Sequence, residues 1–353
     1  EPRVLTIAVL SGLISSLLTT GLIAVAGGFG DRTVTYRSVE REAPLPGVAT
    51  GVAAGTGGTN PTIVDIAERV RPAIVQVEVE GNAGRGSGSG VLLRTDGHVL
   101  TNQHVIDGAE KINVVMADGR EYEGKLLGGD PETDIAVIKI DGASFPTATL
   151  GSALGLKVGH QAIAIGSPLG LAGGPSLSVG VVSALGRQVD SRDGPPLLDM
   201  IQTDAPIAPG SSGGALLDGR GAVIGITTAI AVSEVGAEGL GFATPIDIAR
   251  DVAEQLITTG KVVHVWLGIE GEDGTSSTGA LVRRIRADSP AAKAGVQERD
   301  IITSVEGRKV TSMSALVVAL RNRKPGQVVT IGLTRDGKPM TVQATLVERP
   351  RDL

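Results

Sequence analysis

Three short stretches carry residues whose types and spacing could do nucleophilic chemistry. In Thr203-Asp204-Ala205-Pro206-Ile207-Ala208-Pro209-Gly210-Ser211-Ser212-Gly213-Gly214 one hydroxyl is flanked by glycine on both sides. A Gly-x-Ser-Gly-Gly run suits a nucleophile standing on a tight loop whose backbone N–H groups turn inward to hold a developing oxyanion. That makes Ser212 the candidate nucleophile and the N–H groups of Gly210, Ser211 and Ser212 the candidate oxyanion donors. The same Pro-Gly-Ser-Ser-Gly-Gly run also suits a plain surface loop or linker, and a slip of one position would put Ser211 in the nucleophile's role.

A serine hydroxyl is a weak nucleophile at neutral pH, so it needs a base with a pKa near working conditions and a carboxylate that holds the base in one tautomer. Thr101-Asn102-Gln103-His104-Val105 closes an apolar run and offers His104 as the base. Asp130-Pro131-Glu132-Thr133-Asp134-Ile135-Ala136-Val137-Ile138-Lys139-Ile140 sets Asp134 at the mouth of an apolar strand. Asp107 sits just after the histidine and Asp118 lies in a turn, which leaves Asp130 as the closest rival for orienting it. His98, on an alternating strand, and His160 and His264, near loops, read as solvated or satisfied side chains, and Asp204 as a loop-capping carboxylate. The chain order His104, Asp134, Ser212 is that of the chymotrypsin-like double barrel.

Elements that could position these residues follow from composition and punctuation. With 353 residues the chain is long enough for two domains and connecting segments. Aromatics make up only 2% and Gly numbers 51, so the cores must be built from Val, Ile, Leu and Ala, which favours strands. A net charge of -6 and the lack of a Lys/Arg cluster disfavour nucleic acid as a partner. With no Cys, and four His without ligand-like spacing, no disulfide, metal site or cofactor is expected.

Residues 1–30 read as a transmembrane anchor, because Val4 to Gly30 is uncharged and exceeds the ~20 residues needed to cross a bilayer core. The rival is a cleavable signal peptide with Ala24-Val25-Ala26 as its cleavage pattern, but such apolar regions usually run only about 7–15 residues. Residues 31–62, rich in Pro and Gly, read as a flexible linker. Short Val- and Ile-rich runs then recur between turn pairs such as Asp96-Gly97 and Asp118-Gly119, and form two series that fit two barrels over 63–260. The glycines Gly84, Gly86, Gly88 and Gly90 read as a flexible entry to a barrel strand, since no Gly-Lys-Ser/Thr of a phosphate loop follows. Thr244-Pro245-Ile246-Asp247 predicts a helix with Thr244 as N-cap, Pro245 at the first position and Gly260 as its stop. Residues 265–347 read as a compact α/β module, with 348–353 as a tail.

Thr-Asn-x-His-Val, Asp-x-x-Thr-Asp-Ile-Ala-Val and the Thr-Asp-Ala to Gly-x-Ser-Gly-Gly segment together resemble the HtrA family of serine proteases, over about Thr62 to Leu346. Two departures flank the nucleophile: Ser211 stands where the family often has Asn and Ala215 where it often has Pro, which bears on loop geometry and rate. The resemblance implies a mainly β protein, a chymotrypsin-like double barrel followed by a PDZ domain and preceded by the transmembrane helix. In the PDZ domain Leu267-Gly268-Ile269, after Trp266, would be the carboxylate-binding loop and Ser314 to Arg321 the other wall of a groove that takes C-terminal peptides as an added strand. It implies an endopeptidase acting on unfolded or misfolded proteins at the extracytoplasmic face of the membrane, with Ile207 and the Ala229 to Gly239 loop shaping a pocket for small aliphatic side chains. That loop and Leu185 to Pro196, rich in Gly, Ser and charge, are expected to be the mobile pieces. Family members often form homo-trimers through aromatic residues near the start of the protease domain. Here no aromatic lies between Tyr36 and Tyr122, so the sequence leaves assembly open. The alternative from another class is a membrane-tethered PDZ adaptor or holdase with an idle protease-like domain.

Overall fold

The structure is a computed structural model that describes residues 61–82, 84–168, 174–191, 194–228, 240–274 and 279–350. The expected anchor at 1–30, nearly all of the linker and the Ala229 to Gly239 loop lie outside the described residues. Among the described residues no helix is long and apolar enough to cross a membrane.

Helix α1 (Ile63–Val70) starts with a reciprocal cap in which the Thr62 hydroxyl accepts from Asp65 N–H and the Asp65 carboxylate accepts from Thr62 N–H. It buries Ile66 and Val70, and Pro72 in the following turn stops it. The first barrel follows: β1 (Ile74–Gly81), β2 (Gly84–Leu92), β3 (His98–Thr101), β4 (Ala109–Val115), β5 (Glu121–Asp130) and β6 (Ile135–Ile140) close in the order β1-β2-β3-β6-β5-β4. The short helix α2 (Gln103–Ile106) interrupts the path between β3 and β4.

The glycine series expected as a flexible entry lies inside β2, paired with β1 along its whole length (Val75 with Gly90, Val77 with Gly88, Val79 with Gly86). The reason is space. A Cβ on Gly90 would lie 2.6 Å from Val99 Cγ1 and 3.0 Å from Val75 Cγ2, so branched residues of the neighbouring strands already fill the barrel at that point.

The second barrel comprises β7 (Gln161–Gly166), β8 (Ser176–Val189), β9 (Leu197–Thr203), β10 (Ala215–Leu217), β11 (Val223–Thr228) and β12 (Gly241–Pro245), in the order β10-β11-β12-β9-β8-β7. The start of the Leu185 to Pro196 stretch, expected as a loop, instead continues β8 as far as Val189, because Leu197 and Met200 of β9 supply strand partners. Helix α3 (Ile246–Thr259) packs on β6 of one barrel and β11 of the other, and buries Ile246, Ala249, Val252, Ala253 and Leu256. Its cap differs from the expected one by a residue. Pro245 occupies the N-cap, while the Thr244 hydroxyl donates instead to the Thr133 carbonyl at 3.3 Å, which ties the start of the helix to the β5–β6 turn. Gly260, at φ 72°, ends the helix as expected. One apolar cluster runs through the first barrel and across the seam through Ile163, Ile165, Ala215 and Ile226 to the underside of α3.

The last unit has its own core, including Leu267, Val282, Ile302, Leu316, Ile331 and Leu346. Strands β13 (Val265–Trp266), β14 (Ile269–Asp273), β15 (Ala280–Ile285), β16 (Ile301–Val305), β17 (Arg308–Lys309), β18 (Val328–Arg335), β19 (Lys338–Thr345) and β20 (Val347–Glu348) are joined by helices α4 (Pro290–Lys293) and α5 (Met313–Arg321). The main sheet runs β14-β15-β16-β18-β19, and β13 pairs with β20. Ser289 and Ser312 cap the two helices through their side chains. Asp336 and Gly337, both at positive φ, make the tight β18–β19 turn that the Asp-Gly pair predicts.

Candidate active site

His104 stands on α2 and Asp134 on the β5–β6 turn, and the fold brings them together. His104 Nδ1 lies 2.8 Å from Asp134 Oδ2 and 3.0 Å from Oδ1, and the backbone N–H of His104 donates to Oδ1 at 2.9 Å. A carboxylate can only accept, so Nδ1 carries the proton and Nε2 is left as the basic nitrogen. The Asp134 side chain is buried, whereas the imidazole is about half exposed at 47% and can meet a substrate.

Asp134 sits at φ 55°, a left-handed conformation that costs a non-glycine residue roughly 1–2 kcal/mol. Its carbonyl is gripped by two donors, Asn102 Nδ2 at 2.8 Å and Gln103 N–H at 3.2 Å. Asn102 is fully buried, and its Nδ2 also reaches Thr228 Oγ1 of the second barrel at 3.2 Å. Backbone and carboxylate of Asp134 are therefore both held by the segment that presents His104, which explains why a strained residue persists there.

Asp130, the closest rival, is turned away from His104. Its Oδ1 pairs with His264 Nε2 at 2.7 Å, and its Oδ2 accepts from the Thr133 hydroxyl at 2.6 Å. His98 pairs with Asp96, and the Asp204 carboxylate accepts from Val181 N–H at 2.7 Å, the loop-capping part expected of it.

Ser212 lies, nearly buried, in the β9–β10 loop. Ala208, Pro209, Gly210 and Ser211 form a turn closed by Ser211 N–H donating to the Ala208 carbonyl at 2.9 Å. Pro at the second position and Gly210 at φ 87° at the third mark it as type II. Ser211 N–H is thus spent inside the turn, which removes it from the expected set of oxyanion donors and leaves Gly210 and Ser212. The Ser211 carbonyl accepts from Thr227 Oγ1 at 2.6 Å and Gly214 N–H at 3.0 Å, so the peptide unit that carries Ser212 N–H is also fixed.

Strand β2 of the first barrel lies against this loop without side chains between them. Ser89 N–H donates to the Ser212 carbonyl at 2.7 Å. A Cβ on Gly213 would sit 2.1 Å from the Ser89 carbonyl oxygen. One on Gly88 would sit 2.6 Å from Val105, the residue after His104, and 3.1 Å from the Ser212 carbonyl. The histidine segment and the serine loop therefore meet across a glycine-lined seam. Ile207 packs on the floor of β12, where a Cβ on Gly241 would lie 2.7 Å from its Cδ1.

Sequence reasoning passed over Ser89, Asn102 and Thr227. Two of them carried a local signal: Ser89 is flanked by Gly88 and Gly90, as Ser212 is by glycines, and Asn102 belongs to the same motif as His104.

In the last unit, Gly268 at φ 82° puts its missing side chain 2.2 Å from Ser289 Cβ. The carbonyls of Leu267 and Gly268 are tied inward by Ala291 N–H and Arg286 N–H, both at 2.9 Å. A groove lies between this loop and α5, walled by Leu267, Ile269, Met313, Leu316, Val317 and Leu320. Its floor reaches the first barrel at Glu132, beside His264 and Arg321.

Residues 88–226 match the model of the trypsin-like peptidase domain and residues 265–346 that of the PDZ domain. The chain is 39% identical over 323 residues to the periplasmic pH-dependent serine endoprotease DegQ of Escherichia coli, covering 81% of this chain and 70% of that protein. It is 42% identical over 273 residues to a probable periplasmic serine endoprotease, DegP-like, of Pseudomonas savastanoi, covering 74% of this chain but only 56% of the relative's length. The solved structure of the HtrA-type protease AlgW with a tripeptide superposes with a TM-score of 0.71 at 36% identity, over 82% of this chain and 98% of that one. With both domains matched in this order and the histidine, aspartate and serine loops gathered at one seam, the chain belongs to the HtrA family of serine endoproteases.

Proposed function

We propose that the chain cleaves peptide bonds through His104, Asp134 and Ser212, and that its substrates are unfolded or misfolded proteins outside the cytoplasm. The observation that carries this reading is the two-oxygen grip of Asp134 on His104 Nδ1, at 2.8 and 3.0 Å, which puts the proton of the neutral imidazole on Nδ1 and makes Nε2 the nitrogen that can act as base.

Ser212 Oγ attacks the scissile carbonyl while His104 Nε2 takes its proton. The carbonyl π electrons move to oxygen, and the N–H groups of Gly210 and Ser212 hold that charge. As the tetrahedral species collapses, the C–N bond breaks and His104 passes its proton to the leaving amine. Water, deprotonated by His104, then releases the acyl group and restores Ser212. Asp134 keeps its charge throughout and stabilises the imidazolium.

The PDZ groove beside Leu267-Gly268-Ile269 takes C-terminal peptides that end in an apolar residue, and the uncharged Val4 to Gly30 segment tethers the enzyme to the membrane, with residues 31–62 as the linker before a protease domain at 63–260 and a PDZ domain at 265–347. The periplasmic naming of the relatives supports an extracytoplasmic setting.

A fluorophosphonate probe and a casein assay test the chemistry together. The wild-type chain should label with one probe per active site, and Ser212→Ala should lose both labelling and cleavage while keeping its circular dichroism. Ser211→Ala should retain most activity. Undiminished cleavage by Ser212→Ala would remove the reading, and a wild-type chain that neither labels nor cleaves would favour the PDZ adaptor.

A further inference from the structure

Ser89 belongs to the first barrel, yet nearly every polar group it owns is committed to the seam. It is fully buried on β2. Its N–H donates to the Ser212 carbonyl, and its own carbonyl accepts from Thr101 Oγ1 at 2.7 Å. Its hydroxyl lies 2.7 Å from the Gly210 carbonyl and 2.8 Å from Ser167 N–H. A carbonyl oxygen cannot donate and an amide N–H cannot accept, so the hydroxyl proton must point at Gly210 and the lone pair at Ser167.

The consequence concerns one peptide unit. The bond between Gly210 and Ser211 is planar, and its two polar ends point opposite ways. Its N–H is held by Ala208 O and its C=O by the Ser89 hydroxyl. With both ends fixed, the unit cannot rotate, and the Cα atoms of Gly210 and Ser211, from which the neighbouring peptide units with the Gly210 and Ser212 N–H groups extend, are held in place. Gly210 itself offers no resistance to rotation, having no Cβ and standing at φ 87°. Of the two holders, Ala208 moves with the loop, whereas Ser89 is anchored in a different barrel.

We propose that Ser89 is a positioning residue for the oxyanion hole: its hydroxyl, reaching from the first barrel, locks the Gly210–Ser211 peptide so that the Gly210 and Ser212 N–H groups face the tetrahedral oxygen. This rests on the reading of Ser212 as the nucleophile. The lock acts on the charge that develops after attack, so it stabilises the transition state and leaves ground-state peptide binding untouched.

The test uses the full chain with Ser89→Ala and Ser89→Cys, each normalised to the fraction of sites that titrate with fluorophosphonate, so that unfolded molecules drop out. A valine-based peptide boronic acid, which forms a tetrahedral adduct, is compared with the matching product peptide, which does not. Loss of one direct oxyanion donor costs roughly 10²–10³ in rate, and loss of a residue that only aims such donors should cost about 10- to 100-fold. The expected result for Ser89→Ala is a kcat loss of that size with KM nearly unchanged, an equal loss of boronate affinity and no change for the product peptide. Ser89→Cys, which keeps a weak donor, should fall between.

Wild-type kcat and boronate affinity in Ser89→Ala would overturn the proposal. So would a boronate loss matched by the product peptide, or failure of both variants to give titratable sites while Ser212→Ala folds, since each assigns Ser89 to packing alone. Activity surviving in Ser212→Ala would instead overturn the nucleophile, which separates the two failures.

Discussion

Two seams hold this protein together, and they are built from opposite materials. The seam between the barrels, where Ser89 and Thr227 hold the serine loop and Asn102 reaches Thr228, uses buried neutral donors and acceptors at 2.6–3.2 Å. The seam between the barrels and the C-terminal unit uses ionisable groups: His264 with Asp130 and Glu132 and Arg349 with Glu132 at the first barrel, and Arg321 donating to the Leu198 carbonyl of the second at 3.3 Å. Neutral bonds within a packed interior do not change with pH or salt, and leaving one unmade costs about 1–3 kcal/mol. Paired charges depend on pH, and those near solvent, such as Arg349 with Glu132, on salt as well. The bonding that holds the serine loop is thereby insulated from conditions that the domain junction responds to.

The largest effect should come from filling the glycine gap at the neutral seam. Gly213→Ala places a methyl 2.1 Å from the Ser89 carbonyl oxygen at a residue with φ 87°. Backbone on the far side cannot swing away as a side-chain tip could, so the serine loop must leave β2. Cleavage should fall by at least about 100-fold, the scale of a lost oxyanion donor, and fluorophosphonate labelling should slow with it. Near-normal labelling in this variant would mean that the two barrels do not need close contact at the site.

A smaller and pH-dependent effect belongs to the charged seam. Burial raises the Asp130 carboxyl, but the hydrogen bond and charge of His264, with the Thr133 hydroxyl and Glu132 N–H, hold it below its ordinary 3.8. Burial pushes the His264 imidazole down, as does the Arg321 charge. The Asp130 bond and the charges of Asp130 and Glu132 outweigh both, so its pKa lies above 6.5. A group with a raised pKa stabilises the fold fully below its unfolded value and loses that contribution as pH rises through the folded one. A group with a lowered pKa stabilises above its unfolded value and loses it as pH falls. The pair therefore contributes most between about pH 4 and 6.5, and the junction should loosen as pH climbs beyond that window. Trp266, the chain's single tryptophan, stands two residues from His264 and reports on it. Its fluorescence should titrate in the wild type with a midpoint above 6.5, and His264→Gln should flatten that curve. Persistence of the same titration in His264→Gln would assign the response elsewhere.

How far the sequence revealed these two seams differs for a physical reason. His104, Asp134 and Ser212 were legible because each sits in a local run whose residue types only make sense together, and the Asp-Gly turns and helix caps marked strand ends in the same local way. Asp130 stayed a rival because its true partner, His264, lies 134 residues further on, and no local pattern ties the two. Ser89 was hidden by its own signature: Gly88-Ser89-Gly90 read as slack chain, although the glycines are there because Val99, Val75 and Val105 already occupy the space. Thr244 was misread as a helix cap since a hydroxyl before a proline fits that role locally, and only the closing of the β5–β6 turn against it supplies the Thr133 carbonyl.

The smallest effect should come from the outermost member of the charged seam. Arg349 reaches Glu132 with its side chain 45% exposed and the carboxylate 31% exposed. Exposed pairs of this kind contribute about 0.2–1 kcal/mol, because water screens them and two long side chains lose freedom in making them. Arg349→Ala should thus lower thermal stability only slightly, and by less as salt is raised, since at 1 M the screening length shrinks to about 3 Å. The shift in the His264 midpoint is more informative than the stability change. With Arg349 gone, Glu132 is left to face His264 alone at 3.4 Å, and its charge favours the imidazolium more strongly. The Trp266 titration in Arg349→Ala should therefore move to higher pH, opposite in direction to the loss caused by His264→Gln. A large, salt-insensitive drop in melting temperature, with the midpoint unmoved, would mean that Arg349 acts by packing and that this seam resembles the neutral one after all.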